Sequence, residues 1–289
     1  MEKKNARGNT VLVFFVFMVF LGSSLFISAT PGQAGGAGEE LLLATTTSTD
    51  NTGLIEYLLP TFTEKTGITI HWIATGTGKA LKLGENCDVD VLLVHAPQAE
   101  IDFVGMGFGI DRRQIMYNNF VLIGPPEDPA AIKGRKVSKA LQAIRSSRSV
   151  FVSRGDNSGT YKKEQALWKR ANAGMPEQES WYRQSGQGML ATCNMAAELN
   201  GYTLCDRGTY IKYASVSGGN PALVILVEGD QDLLNQYSII RVNPGHCPSV
   251  KHEKAMTFSA WMAAHEAQKL IGEFKLLGKQ LFTPNATQE

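Results

Sequence analysis

Leu41-Leu42-Leu43-Ala44-Thr45-Thr46-Thr47-Ser48-Thr49 opens the part of the chain that decides the fold. Four apolar residues in a row read as a buried strand, and the five hydroxyl residues after them read as a polar turn. Residues 53–66 then carry Leu54, Leu58 and Leu59 on one side of a helix, with Pro60 expected to kink or interrupt it. The same order recurs. Residues 68–73, Ile-Thr-Ile-His-Trp-Ile, are β-branched and aromatic and predict a second strand. Gly76-Thr77-Gly78 leads into a short helix, and residues 89–94 form a third apolar run that ends at His95-Ala96-Pro97. Strand, polar turn and helix in repetition predict an α/β fold with a parallel sheet covered by helices. Ligands of such sheets sit beyond the carboxyl ends of the strands. That rule singles out residues 45–49, 76–78 and 95–97.

A fourth strand end is more explicit. The apolar run at 149–152 passes directly into Ser153-Arg154-Gly155-Asp156-Asn157-Ser158-Gly159-Thr160, and residues 161–171 contain neither Gly nor Pro. Ser158 or Asp156 is a fitting N-cap for that helix. The free amides of its first turn and the positive end of its dipole make an anion site, to which Arg154 adds a planar fork of donors. Asp156 is expected to orient Arg154, because a carboxylate facing an anion would repel it. Further strands are expected at 120–124, 222–227 and 238–242. Helices are expected from 189 to 199, behind Gly186-Gln187-Gly188, and from 252 to 277. The whole predicts two α/β lobes, each a mostly parallel sheet flanked by helices, joined by two hinge crossovers near 118–126 and 235–244. Lobe one comprises 39–119 and 245–289, and lobe two comprises 120–244. A cleft between two such lobes closes by hinge motion.

The first 38 residues read as an export signal rather than as part of this fold. Lys3, Lys4 and Arg7 precede an apolar run at 11–27, and small residues follow up to Ala37. A soluble protein of a bacterial periplasm is the expectation. Lys plus Arg number 28 against 27 Asp plus Glu, a near-neutral balance that argues against a nucleic-acid partner. The cysteines are Cys87, Cys193, Cys205 and Cys247, without CxxC or Cys/His metal spacing, so no metal site and no cofactor are expected. One disulfide containing Cys193 or Cys247 is expected, with its pairing open. Two catalytic readings fail on spacing. A phosphate loop would need Gly at position 73 and Ser or Thr at position 80, where Ile73 and Ala80 stand. Residues 155–159 do not make the GxSxG elbow of a serine hydrolase. A secreted hydrolase using Ser158 remains the alternative from a different class.

Residues 44–49, 91–97, 153–160 and Tyr202-Thr203-Leu204-Cys205-Asp206-Arg207-Gly208-Thr209-Tyr210, behind a signal peptide, resemble the periplasmic tungstate-binding proteins of ABC importers. Trp261, Ala267-Gln268-Lys269-Leu270-Ile271 and Phe274 resemble the C-terminal helix of type II solute-binding proteins more widely. The family pattern usually has Thr where Cys205 stands. The resemblance implies a non-enzymatic receptor that takes tungstate, or molybdate of the same charge and nearly the same size, and delivers it to an ABC membrane permease. It implies ligand contacts from Thr46, Thr47, Ser48, Thr77, Arg154, Ser158, Gly159 and Thr160, with Arg154 the one charged donor. Phosphate-binding relatives share a stretch like 153–160 but place a carboxylate acceptor at a Ser-Asp-x-Pro strand end. Here that segment reads Val94-His95-Ala96-Pro97. Without that acceptor, the site suits an unprotonated tetrahedral dianion such as tungstate, molybdate or sulfate.

Overall fold

The computed structural model describes residues 39–156, 158–218 and 220–287. The expected signal segment and Asn157 lie outside them. The first elements are β1 (Glu39–Thr46), α1 (Thr47–Asp50), α2 (Leu54–Thr66), β2 (Ile68–Thr75), α3 (Thr77–Glu85), β3 (Val91–Val94) and α4 (Pro97–Gly105). A long strand, β4 (Gly109–Gly124), follows. Next come α5 (Val137–Ser147), β5 (Phe151–Ser153), α6 (Gly159–Arg170), β6 (Tyr182–Gln184), α7 (Met189–Glu198), β7 (Thr203–Asp206), α8 (Arg207–Val216) and β8 (Val224–Val227). The chain returns along β9 (Leu234–Val242) and continues through α9 (His252–Ala263) and α10 (His265–Glu273). Three two-residue strands end it: β10 (Lys275–Leu276), β11 (Lys279–Gln280) and β12 (Thr283–Pro284).

The expected polar turn at 45–49 is shorter than the sequence implies. Thr45 and Thr46 finish β1, and Thr46 then caps α1 by accepting from the Thr49 amide. Pro60 does not break α2. It and Glu56, whose carbonyl would have bonded the missing amide, both lie on the solvent face, where water can satisfy that carbonyl. The C-terminal helical region is two helices, because Ala264 adopts an extended backbone between them.

The sheet is mixed. β1 pairs in parallel with β2 and with β3, as the repeated strand–helix units require. β9 runs antiparallel to both β3 and β4, so the expected mostly parallel order holds for the β-α units and fails at the two long strands. Only β4's second half was expected as a strand. Its first half carries Asp111, Arg112, Arg113 and Gln114, and register shifts at Ile110/Arg113 and Gln114/Met116 destroy the two-residue alternation that marks a strand. Residues 109–119 of β4 pair with β9, while residues 120–124 pair with β7 and β8. Asn118 faces Asn235 and Asn119 faces Leu234 where that change of partner occurs.

Around β1 the core is double-sided. Leu41 and Leu43 pack with Phe62 of α2 and with Phe258 and Trp261 of α9. Ala44 joins Leu81 of α3 and Phe103 of α4 on the opposite face. Residues 120–233 supply two further clusters. One is built on Phe151, Trp168 and Tyr202, the other on Val152, Met189 and Cys193. This layered burial holds the carboxyl ends of β1, β2, β3 and β5 in place.

A disulfide joins Cys87, just beyond α3, to Cys247, beyond β9, across 160 residues of sequence. Cys193 and Cys205 are free thiols, both fully buried, so of the two expected disulfide cysteines only Cys247 is bonded. Replacing Cys87 and Cys247 by Ser is expected to cost about 2–5 kcal/mol, since the bond restricts a long loop of the unfolded chain. Denaturant unfolding of wild type and the double variant, with and without reductant, checks this.

Candidate functional site

Four strand ends converge on one cavity of about 330 Å³. Thr46, Thr47 and Ser48 come from the β1–α1 junction, and Thr75, Gly76, Thr77 and Lys79 from the β2–α3 junction. His95 follows β3, while Arg154, Asp156, Ser158, Gly159 and Thr160 follow β5. The cavity thus brings together the eight residues expected as ligand contacts, whereas Thr45, Thr49, Gly78, Ala96 and Pro97 of the expected strand-end loops do not line it. It also adds Lys79, an exposed second cation, so Arg154 is not the only positive group on the wall.

Local chemistry explains each junction. Ser158 is the N-cap of α6, its hydroxyl oxygen accepting from the Tyr161 amide at 3.2 Å. Gly76 caps α3 with no side-chain bond to the first-turn amides. Thr77 is fully buried, and its hydroxyl has no hydrogen-bond partner among the described residues. A buried hydroxyl without a partner is unfavourable by roughly 1–3 kcal/mol, so one aimed into a cavity asks for a ligand or water there. Gly159 allows the two sides to approach. A Cβ on it would lie 3.1 Å from the Thr77 hydroxyl and 3.2 Å from Cε1 of His95. Gly155 is required for a second reason: its φ of +60° favours glycine, and a Cβ would lie 2.6 Å from that of Gln184.

Asp156 is the carboxylate in this wall, and both its oxygens are engaged. Oδ2 accepts from Nε and Nη2 of Arg154, and Oδ1 accepts from the Ser158 amide at 3.0 Å. Burial alone would raise its pKa. The bonds from Ser158 and Arg154 outweigh that and hold it below the ordinary carboxylate value, so it stays ionised and aims Arg154. His95 is deeply buried, and burial lowers its pKa despite the bond to Asn235 and the nearby Asp206 charge. The ring is therefore neutral near pH 7, with Nε2 at 3.0 Å from Oγ1 of Thr46 and 3.2 Å from Oγ of Ser48.

Behind the cavity lies Glu164, which sequence reasoning missed because it reads as part of the charged run Lys162-Lys163-Glu164. It is 2 % exposed and accepts from Ser153 Oγ at 2.8 Å and from the Tyr182 hydroxyl at 2.6 Å. Ser153 Oγ in turn accepts from the Gly155 amide, so Glu164 braces the loop that carries Arg154. Burial pushes its carboxyl up from 4.5 to about 7. An unfolded chain releases that proton near pH 4.5, so between there and about 7 the folded protein binds more protons. Stability from this group accordingly falls as the pH rises through that window, by up to about 3 kcal/mol. Glu164→Gln is expected to flatten that slope, as measured by chemical unfolding at pH 5 and pH 8.

The chemistry of the wall is that of an oxyanion receptor: hydroxyls, helix-start amides and a guanidinium, with its carboxylate already bonded. A family model described as a PBP superfamily domain matches residues 29–266, and the chain belongs to that superfamily. Within it, the nearer likenesses are narrower. The chain is 49 % identical over 239 residues to the tungstate-binding protein TupA of Campylobacter jejuni, covering 83 % of this chain and 88 % of that one. The solved structure of the tungstate-binding protein TupA from Desulfovibrio alaskensis G20 superposes with a TM-score of 0.80 at 62 % identity, covering 86 % of this chain and all of that one. A tungstate ABC transporter structure from Geobacter sulfurreducens gives 0.72 at 44 % identity over 82 % of this chain and 99 % of that one.

Proposed function

We propose that this protein is the extracytoplasmic receptor of an ABC importer, binding tungstate in the cavity between β1, β2, β3 and β5 and passing it to a membrane permease. The engaged state of Asp156 carries the reading. A wall with many donors and no free carboxylate favours an oxyanion without a proton, and tungstate is unprotonated at neutral pH while phosphate keeps one. Thr47, Ser48, Thr77, Ser158, Gly159 and Thr160 would donate hydrogen bonds and Thr46 would border the anion with its hydroxyl turned to His95, with Arg154 as the partly buried charged donor and Lys79 a second positive charge at the wall. Residues 39–119 with 245–289, and 120–244, would act as two lobes that close on the anion through β4 and β9. The same reading makes the protein a non-catalytic carrier, in which the Ser158 hydroxyl serves to cap α6. Residues 1–38 would direct export to the periplasm and be removed. Among the described residues no helix is long and apolar enough to cross a membrane.

Titration calorimetry with tungstate, molybdate, sulfate and phosphate tests the proposal. Tungstate is expected to bind at least about a hundredfold more tightly than phosphate, which at roughly 2.7 kcal/mol is the scale of one or two mismatched buried hydrogen bonds. Tight phosphate binding with no response to tungstate would overturn it.

A further inference from the structure

The wall of the cavity is wired to the two long strands through one imidazole. Nδ1 of His95 lies 2.8 Å from Oδ1 of Asn235, an atom that only accepts, so the ring proton sits on Nδ1. Nε2 is then an acceptor, and it faces the hydroxyls of Thr46 and Ser48. One proton assignment consistent with these distances has Thr46 donating to Nε2 and Thr49 donating to Thr46 at 2.7 Å, with Ser48 Oγ 3.1 Å from Thr46 Oγ1. Thr46 has then spent its only proton, and the Ser48 hydroxyl is left free to donate into the cavity. Behind Asn235 the chain of bonds continues. Its Nδ2 donates to Oδ1 of Asn118 at 2.8 Å, and both amides are 2 % exposed. Asn118 and Asn235 face each other on β4 and β9 at the point where β4 exchanges β9 for β7 and β8. Tyr237 stacks on the His95 ring at 4.6 Å between centroids and so holds its plane.

We propose that His95 is a positioning residue that couples the cavity to the two crossover strands, with Asn235 fixing its Nδ1–H tautomer and thereby the direction in which the Thr46 and Ser48 hydroxyls point. Neither Asn118 nor Asn235 lines the cavity, yet a change at this pair would reach the anion through the ring. Any bending of β4 against β9 moves the same pair, so closure and hydroxyl orientation are linked. The inference rests on the anion-receptor reading only for its consequence in affinity. The tautomer itself does not depend on it.

Long-range nitrogen–proton spectra of the imidazole and calorimetry with sodium tungstate test the proposal on wild type, Asn235→Leu and Asn235→Asp. Wild type is expected to show His95 as the neutral Nδ1–H form. Asn235→Leu removes the acceptor and is expected to lose that signature and about tenfold in tungstate affinity. Asn235→Asp retains an acceptor for Nδ1–H but its carboxylate also favours protonation of Nε2, so the Nδ1 proton is expected to stay while the neutral signature and tungstate affinity fall. A wild-type ring protonated on Nε2, or an Asn235→Leu protein that loses the signature but binds tungstate as wild type does, would overturn the coupling. If Asn235→Leu does not fold, the wild-type spectrum and the Asn235→Asp pair still decide. Wild type that shows the Nδ1–H form yet binds no tungstate fails the receptor reading while leaving the tautomer assignment standing.

Discussion

Arg154→Gln weakens tungstate binding by about a hundredfold or more, the largest loss expected from any single polar group of the site. Two effects add. A charge-assisted hydrogen bond to a buried dianion is worth roughly 1.5–3 kcal/mol, and unit charges about 4 Å apart near a protein surface interact by a similar amount. Removing the guanidinium also strips Asp156 of its partner, leaving an ionised carboxylate in the wall to repel the ligand. Lys79 is exposed and recovers only part of the lost attraction. The double variant Arg154→Gln, Asp156→Asn is therefore expected to bind better than Arg154→Gln alone. Calorimetry on the three proteins separates lost attraction from added repulsion. A single variant that binds as wild type would remove Arg154 from the site.

Gly159→Val is expected to abolish binding altogether while leaving the fold intact. Gly159 is the first residue of α6, and a β-branched side chain there is tolerated by the helix at a small loss. The obstruction lies across the cavity, where a Cβ already falls within 3.2 Å of Thr77 and His95 and the two methyls of Val would occupy the anion's space. Gly159→Ala should give an intermediate loss, because only a few tenths of an ångström of adjustment is needed. The measurement is the rise in melting temperature on adding tungstate, which follows the ratio of ligand concentration to Kd. Wild type should show a rise and Gly159→Val none, with the two unliganded melting temperatures within a few degrees. An undiminished rise in the Val variant would mean that the anion sits elsewhere.

Much of the site is legible in the sequence because its logic is local. Thr46 and Ser158 cap helices three residues ahead of the amides they accept from, so a polar residue before a helical pattern is enough to place them. Arg154, Asp156 and Ser158 lie within five residues and bond one another, which is why the orienting role of Asp156 could be anticipated. The strand–turn–helix order of residues 41–97 likewise depends on short-range periodicity. It led to the α/β class and to the strand ends where the cavity lies.

Other features depend on which strands become neighbours. His95 meets Asn235 across 140 residues, and Cys87 meets Cys247 across 160. Nothing in the spacing of those residues marks them as partners. Glu164 looks like a surface charge until α6 is packed against Ser153 and Tyr182, and Lys79 joins the wall only once α3 is docked beside β1. The first half of β4 was hidden by bulges that break alternation. Sequence by itself thus determined the class of fold and most of the polar residues that line the cavity, because propensity, capping and loop chemistry act over a few residues. Only the tertiary structure decided the mixed sheet, the disulfide partner, the neutral imidazole and the charge state behind the loop, because each of these is set by long-range strand register and by burial.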